Sequence, residues 1–372
     1  MRRLHVIQLV PALDAGGVER STLEIAAALV AAGHRASVVS AGGRLLPELE
    51  ALGAEHIALD IGRKSPRVLR HLPALRRLFA GADLVHARSR LPAWLAWWAL
   101  RGLPAAARPR FVTTAHGLNS PSRYSAIMAR GERVICVSQA VRAHLLRHYP
   151  DTDPARLVVI PRGIDPARFP RRPRPDPAAR AAVAARQPAL GGNGPLLLLP
   201  GRGTRLKGHA DAIALLARLR ADGLDARLWL AGALQSGRER YVHALQAQAR
   251  RAGVAQALAL TAPEADMPAA YAACDLVLQL SRQPEAFGRT VLEALAVGRP
   301  VLGWAHGGVD ELLAQWQPQG RVACFDAAAL HAGARALLAQ PPAPPATMPD
   351  SLAAMQAATL ALYEELLADA GC

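Results

Sequence analysis

Two glutamates eight residues apart, Glu285 and Glu293 in "PEAFGRTVLEALAVGRPV", have types and spacing that can do chemistry. "VLEALAVG" reads as a helix stopped by Gly298 with Pro300 beyond it, and the apolar "DLVLQLS" before it reads as a strand. Glu285 then falls in the loop at the carboxyl end of that strand, and Glu293 about two turns into the helix. Between them, the amides of Phe287, Gly288 and Arg289 form the helix's positive end. A loop carboxylate, a helix start and an inner carboxylate can hold a hydroxyl-rich group, a phosphate and a second diol. A sugar, a diphosphate and a ribose follow in that order in a nucleotide sugar. The plainer alternative, a helix cap with dipole-stabilising acids, accounts moderately for Glu285 and poorly for Glu293. A glycosidase-type pair would need carboxylates on either side of one bond, for which Glu293, deep in the helix, is badly placed.

Cations for a phosphate occur in "PGRGTRLKGHADAIALLARL". Arg202 and Lys207 follow an apolar run and precede a helix, so both can converge on a pyrophosphate, or can simply form a solvated basic loop. The chain has only two lysines, Lys64 and Lys207. No Walker loop is present, because Lys207 is followed by Gly208 and His209. Gly16 and Gly17, ahead of the helix-like "VERSTLEIA", allow close backbone approach to a phosphate or sugar, and turn geometry explains them equally well. The G-x-G-x-x-G of a nicotinamide or flavin site is missing there. A D-x-D at Asp151 to Asp153 would suit a metal-bound diphosphate. It stands before Pro154, far in sequence from the other diphosphate residues, and reads as a turn, so no metal ligand is assigned.

The elements that must position these groups read as two doubly wound α/β sheets. In the first half the strands are "HVIQLV", "RASVVSAG", "DLVHAR", "FVTTAH", "RVICVS" and "LVVIPRG". In the second they are "PLLLLPG", "ARLWLAGA", "ALALTAP", "DLVLQLS", "PVLGWAHG" and "RVACF". The joint "FPRRPRPDP" separates a domain over 1–172 from one over 190–345. After the proline-rich 340–350 comes a helix over 350–372 that packs on its own domain or crosses back to the first. Wound sheets bind ligands at the carboxyl ends of their strands, so a cleft between the two is expected.

Of the formal +15 charge, all lies in residues 1–180, which hold 28 Lys or Arg against 13 Asp or Glu. Such asymmetry suits an anionic partner: a phosphate-bearing substrate, an anionic leaflet or nucleic acid. Aromatic residues make up only 4% of the chain, which gives few stacking platforms and leaves the glutamate spacing unexplained by nucleic-acid binding. Arg88 and Arg90, ending "DLVHAR", are placed to meet a phosphorylated or acidic acceptor. Arg63, Lys64, Arg67, Arg70, Arg76 and Arg77 form a basic amphipathic segment that can rest on an anionic membrane surface. Trp94, Trp97 and Trp98 are expected in the core of a crossover helix. No apolar run is long enough to span a bilayer, and the basic start "MRRLHVIQLV" reads as a first strand rather than a signal peptide. Cys136, Cys274, Cys324 and Cys372 have neither metal nor disulfide spacing, which fits a cytoplasmic setting.

The paired glycines, "GRGTRLKGH", "PEAFGRTVLEALAVGRPVLGWAHGGVDELL" and "VICVSQAVRAHL…VVIPRGID" together resemble the retaining glycosyltransferases of family 4, over nearly the whole chain. The resemblance implies a GT-B fold, two Rossmann-like domains facing a central cleft, and a metal-independent enzyme with no cofactor beyond a nucleotide sugar, of which a UDP-sugar is the commonest. It implies that Arg202 and Lys207 neutralise the donor diphosphate, Glu285 holds sugar hydroxyls and Glu293 the ribose. The amides of Phe287, Gly288, Gly16 and Gly17 would lie near sugar and phosphates, and His116 would face the reacting sugar and acceptor. The stretch 113–138 looks most like enzymes that build lipopolysaccharide core or related lipid-linked surface glycans, and the basic segment Arg63–Arg77 leads to the expectation of peripheral attachment to the inner face of the cytoplasmic membrane. A nucleotide-sugar epimerase of the same fold is the alternative. Two departures stand out. "PRGID" replaces the common P-N-G-I-D, so that Arg162 brings a cation toward the acceptor, and Gly307-Gly308 precede Val309, Asp310 and Glu311, which leaves the role of Glu311 open. Ser138 fits a helix cap better than a ligand contact.

Overall fold

The computed structural model describes residues 2–14, 16–172, 174–346 and 351–368; Cys372 and the outer ends of the expected last helix lie outside them. The chain divides into two units, the first built from residues up to Gly163 and from Leu352 onward, the second from Ile164–Ser351.

Unit 1 carries β1 (His5–Leu9), β2 (Arg35–Ser40), β3 (Glu55–Ala58), β4 (Leu84–Ala87), β5 (Arg110–Ala115), β6 (Arg133–Cys136) and β7 (Leu157–Val159). They pair in the order β3-β2-β1-β4-β5-β6-β7, all parallel. A parallel sheet is covered on both faces, which is why its strands are unbroken apolar runs rather than alternating ones. One face packs Val6, Val38 and Leu84 against Leu23 and Leu29 of the helix Gly17–Ala31 and against Met355, Leu362 and Tyr363 of the helix Leu352–Ala368. The last helix thus lies on unit 1, on the far side of unit 2 in the sequence. The other face packs Ile7, Val85 and Phe111 against Leu75, Phe79 and Leu95.

Unit 2 carries β8 (Leu196–Pro200), β9 (Arg227–Ala231), β10 (Leu258–Thr261), β11 (Leu276–Gln279), β12 (Val301–Trp304) and β13 (Arg321–Val322), in the parallel order β10-β9-β8-β11-β12-β13. A leucine-dominated core packs one sheet face, through Leu197, Leu199, Leu228, Leu230 and Leu278, against the helices His209–Ala221, Glu239–Arg251 and Ala327–Ala339. In each unit the strand order turns outward at one point, between β1 and β4 and between β8 and β11, where wound sheets open a crevice at their carboxyl ends.

The division falls at residue 163 rather than 172. Residues 164–172 pack with unit 2: Ile164 bridges to Ser351, Phe169 stacks on Tyr271, and the Arg172 amide donates to Val297 O at 2.7 Å. This moves Arg168, Arg171 and Arg172 across, and unit 1 holds 23 Lys or Arg and 14 Asp or Glu, while unit 2 holds 21 and 15. The positive excess is therefore shared as +9 and +6, not confined to the first unit. The tryptophan expectation also needs correcting. Trp94 and Trp97 are half-buried and Trp98 is 38% exposed, because the buried stripe of the helix Arg90–Arg101 is made by Ala93, Leu95, Ala96 and Ala99. Trp94 meets Trp97 edge to face and lies tilted against Trp98, with Arg101 3.6 Å above the Trp97 ring.

The basic segment folds as a short turn of helix at Pro66–His71 and a helix at Leu72–Phe79. Its cations are exposed, while Val68, Leu75 and Phe79 are spent on the core, which leaves Leu69 as its exposed large apolar side chain. No helix among the described residues is long and apolar enough to cross a membrane.

Candidate active site

In unit 2 the groups singled out by spacing come together at the carboxyl ends of β8 and β11. Gly208 adopts φ +72, and a Cβ there would sit 2.0 Å from Leu280 O. Only glycine lets the loop after β8 press against the end of β11, where the Arg282 amide donates to Leu206 O at 2.7 Å. This contact brings Lys207 Nζ to 2.5 Å from Glu285 Oε1. Ser281 also donates to that oxygen, and Gln279 reaches Oε2 at 3.4 Å. Both members of the ion pair are about a quarter exposed, so solvent and a ligand can compete for them. Arg202 lies exposed in the same loop and makes no ion pair among the described residues.

A second contact holds the Glu285 loop from the other side. Glu285 bridges to Gly307, and the Gly308 amide donates to Glu285 O at 2.8 Å. A Cβ on Gly308 would lie 2.4 Å from Phe287 Cα. The glycine pair is thus a packing requirement of this loop, and Glu311 lies in the following helix, Gly307–Trp316. Phe287 is buried, and Gly288, at φ +100, starts the helix Arg289–Val297. One face of that helix carries Glu293, only 14% exposed, which accepts from Arg289 Nε and from the Tyr271 hydroxyl, each at 2.9 Å. Burial pushes the Glu293 carboxyl above the usual range in spite of both partners, and the same burial with the nearby carboxylate pushes Tyr271 well up.

Unit 1 gathers a different set at its own strand ends. Gly16 and Gly17 follow β1 and open the helix Gly17–Ala31; a Cβ on Gly17 would meet nothing within 4 Å. Arg88, after β4, is 3% exposed and donates through Nε to Gln8 Oε1 at 2.6 Å and through Nη1 to Ser21 Oγ at 3.2 Å. Arg162, after β7, is 9% exposed, and its Nη2 lies 2.5 Å from His116 Nδ1. Arg162, expected to bring a cation toward the acceptor, has its Nη2 set on His116, at the end of β5, which offers it a lone pair. Arg90 stays half-buried, donating to Ser125 Oγ at 3.2 Å beside the Tyr124 ring. His86 is enclosed, bonded at 2.6 Å to the Tyr363 hydroxyl and at 2.6 Å to Thr114. Burial, then Arg162, Arg88 and His86, hold His116 well below the ordinary histidine range, and burial does the same to His86. Burial likewise lowers His209, behind the Lys207 loop, to about 4.

Asp153 accepts from the Ala155 amide at 2.9 Å, a local cap, and Ser138 accepts from the Val141 amide at 3.1 Å in the same role. Cys136 and Cys274 are buried free thiols pushed up to about 12, while Cys324 is exposed. Sequence reasoning missed Ser281, Tyr271, Gln8, His86 and Tyr363. Ser281 stands at a strand end four residues from Glu285 and was legible; Tyr363 lies 277 residues from its partner and was not.

Residues 15–168 match the family model described as Glycosyltransferase Family 4, and residues 183–350 match that described as Glycosyl transferases group 1. A D-inositol 3-phosphate glycosyltransferase of Salinispora tropica is 33% identical over 193 residues, covering 50% of this chain and 39% of that protein. The match therefore spans about two fifths of such a relative. Among solved structures, a glycosyltransferase from Rickettsia africae aligns with a TM-score of 0.84 at 26% identity, over 99% of both chains. Anabaena Alr3699/HepE, solved with UDP and glucose, aligns at 0.77 and 20% identity, over 98% of this chain and all of the other.

Proposed function

Since the chain belongs to the family 4 glycosyltransferases and has their GT-B fold, we propose that it transfers a hexose from a UDP-sugar to a phosphorylated or lipid-linked glycan, with retention and without a metal ion. The observation that carries this reading is the Lys207–Glu285 pair at 2.5 Å, seated where β8 and β11 part. Lys207 and Arg202 meet the donor diphosphate, and the charge they neutralise is the charge that grows as the phosphate leaves. Glu285, released from Lys207 as the phosphates take its place, accepts from sugar hydroxyls. Glu293 accepts from the ribose diol, held in its rotamer by Tyr271 and Arg289.

The acceptor oxygen bonds to the anomeric carbon on the face the diphosphate leaves, the carbon–phosphate-oxygen bond breaks, and the acceptor proton passes to the departing phosphate oxygen. Positioning and electrostatics supply the acceleration, and no protein nucleophile is used. The acceptor belongs to unit 1, and the resemblance of residues 113–138 favours the lipopolysaccharide-core or surface-glycan class. The exposed cations at Arg63–Arg77 support contact with an anionic leaflet, by charge more than by apolar insertion.

Thermal shift with UDP, GDP, ADP and their sugars tests this reading. At a hundred times its dissociation constant a ligand adds about 2.7 kcal/mol, a shift of a few degrees. UDP and a UDP-sugar should raise the Tm equally with and without EDTA, and Lys207→Ala should abolish the shift. No shift with any nucleotide would remove the diphosphate assignment.

A further inference from the structure

We propose that Arg162 is a positioning residue that fixes His116 in the tautomer protonated at Nε2, so that His116 donates a hydrogen bond to a substrate oxygen and does not act as a base. The inference rests on the reading that His116 meets substrate. Its first step is independent of that reading. A guanidinium carries donors only, so the contact between Arg162 Nη2 and His116 Nδ1, at 2.5 Å, places the lone pair on Nδ1. The ring proton then sits on Nε2. Nδ1 is occupied as an acceptor and Nε2 has no lone pair, which leaves the ring no site for taking a proton from an acceptor hydroxyl.

The surroundings of the ring agree. His116 Nε2 is buried without a hydrogen-bond partner and lines a recess of about 20 Å³, together with Arg88, Thr114 and Ser21. Arg88 Nη2 also lacks a partner. A space of this size takes one water or one ligand oxygen, and the two unpaired groups are both donors, so what they hold is an acceptor atom. The charged and titratable groups facing the ring are Arg162, Arg88 and His86; the two cations oppose protonation, and His86 is itself kept neutral by burial. An asparagine in place of Arg162 would present both an oxygen and an amide, and so would permit either tautomer. Arg162 removes that freedom.

The test is the ring-nitrogen NMR spectrum of the full-length protein labelled with ¹⁵N-histidine, recorded from pH 8 to pH 5. His116 should show an acceptor-type Nδ1 and a protonated Nε2 across the range. In Arg162→Met it should show mixed tautomers; Arg162→Lys, which keeps a donor, should restore the locked pattern. UDP release from UDP-glucose, followed against pH, should fall about tenfold to hundredfold in kcat for Arg162→Met with the donor KM unchanged, and recover in Arg162→Lys. A proton on Nδ1, or a His116 that titrates in the wild type, overturns the proposal even if Arg162→Met fails to fold. A locked ring with unchanged turnover in His116→Ala would leave the lock standing and remove His116 from the substrate, so the two failures separate.

Discussion

At the strand ends of unit 2, cations meet carboxylates in partly exposed pairs: Lys207 with Glu285, Arg289 with Glu293. At those of unit 1, Arg88 meets Gln8 and Ser21, and Arg162 meets His116, nearly all of it out of water. The first arrangement stores its charges against each other, partly in solvent, where another anion can compete for the cations. The second has fixed its donors beforehand and bears the desolvation cost in the folded protein itself. One cluster is held by pairs that solvent can loosen, the other by bonds that are set before anything binds.

The contrast can be broken most forcefully with acid. His86 and His116 in unit 1, and His209 in unit 2, are held below the ordinary histidine value. Their protonated forms are disfavoured in the fold and allowed in the unfolded chain, so their contribution is intact above pH ~6.5 and is lost as pH falls below it. Between pH 7 and pH 5 each histidine should cost up to about 2 kcal/mol, hence about 4 for unit 1 and about 2 for unit 2. Urea unfolding at both pH values, followed through methyl signals of each unit, measures the two losses; equal losses would contradict the contrast.

Replacing Arg88 by methionine strands Gln8 Oε1 in the core and should cost about 2 kcal/mol in the ligand-free protein. Lys207→Ala, in the same urea assay, should cost less than about 1 kcal/mol, because its ion pair is partly solvated. The sharpening lies in the reversal: the variant with the smaller effect on stability is the one that should lose nucleotide binding.

Every apolar strand run was legible because a covered parallel sheet writes itself as uninterrupted aliphatic sequence. β3, "EHIA", escaped notice since it is a four-residue edge strand whose Glu55 and His56 face polar neighbours. The local parts of the unit 2 site were legible too, as Glu285 and Glu293 share one loop and helix, and Lys207 and Gly208 share one turn. What joins them was not. The Gly208 contact with Leu280 and the Gly308 contact with Phe287 are long-range steric facts that a spacing cannot announce. Arg162 shows the same limit from the other side: its oddity was visible, while the direction of its side chain depends on His116, 46 residues away.

The helix Leu352–Ala368 closes unit 1 from beyond unit 2, and Tyr363 brings the hydroxyl that holds His86. A ribosome therefore makes all of unit 2 before it delivers the segment that finishes unit 1. Unit 2, an uninterrupted stretch, can fold while synthesis continues, whereas the nascent first unit must wait with the face that receives Met355, Leu362 and Tyr363 uncovered. The order of translation thus makes unit 2 the early partner in assembly, and leaves the earlier-made sheet dependent on a later-made helix.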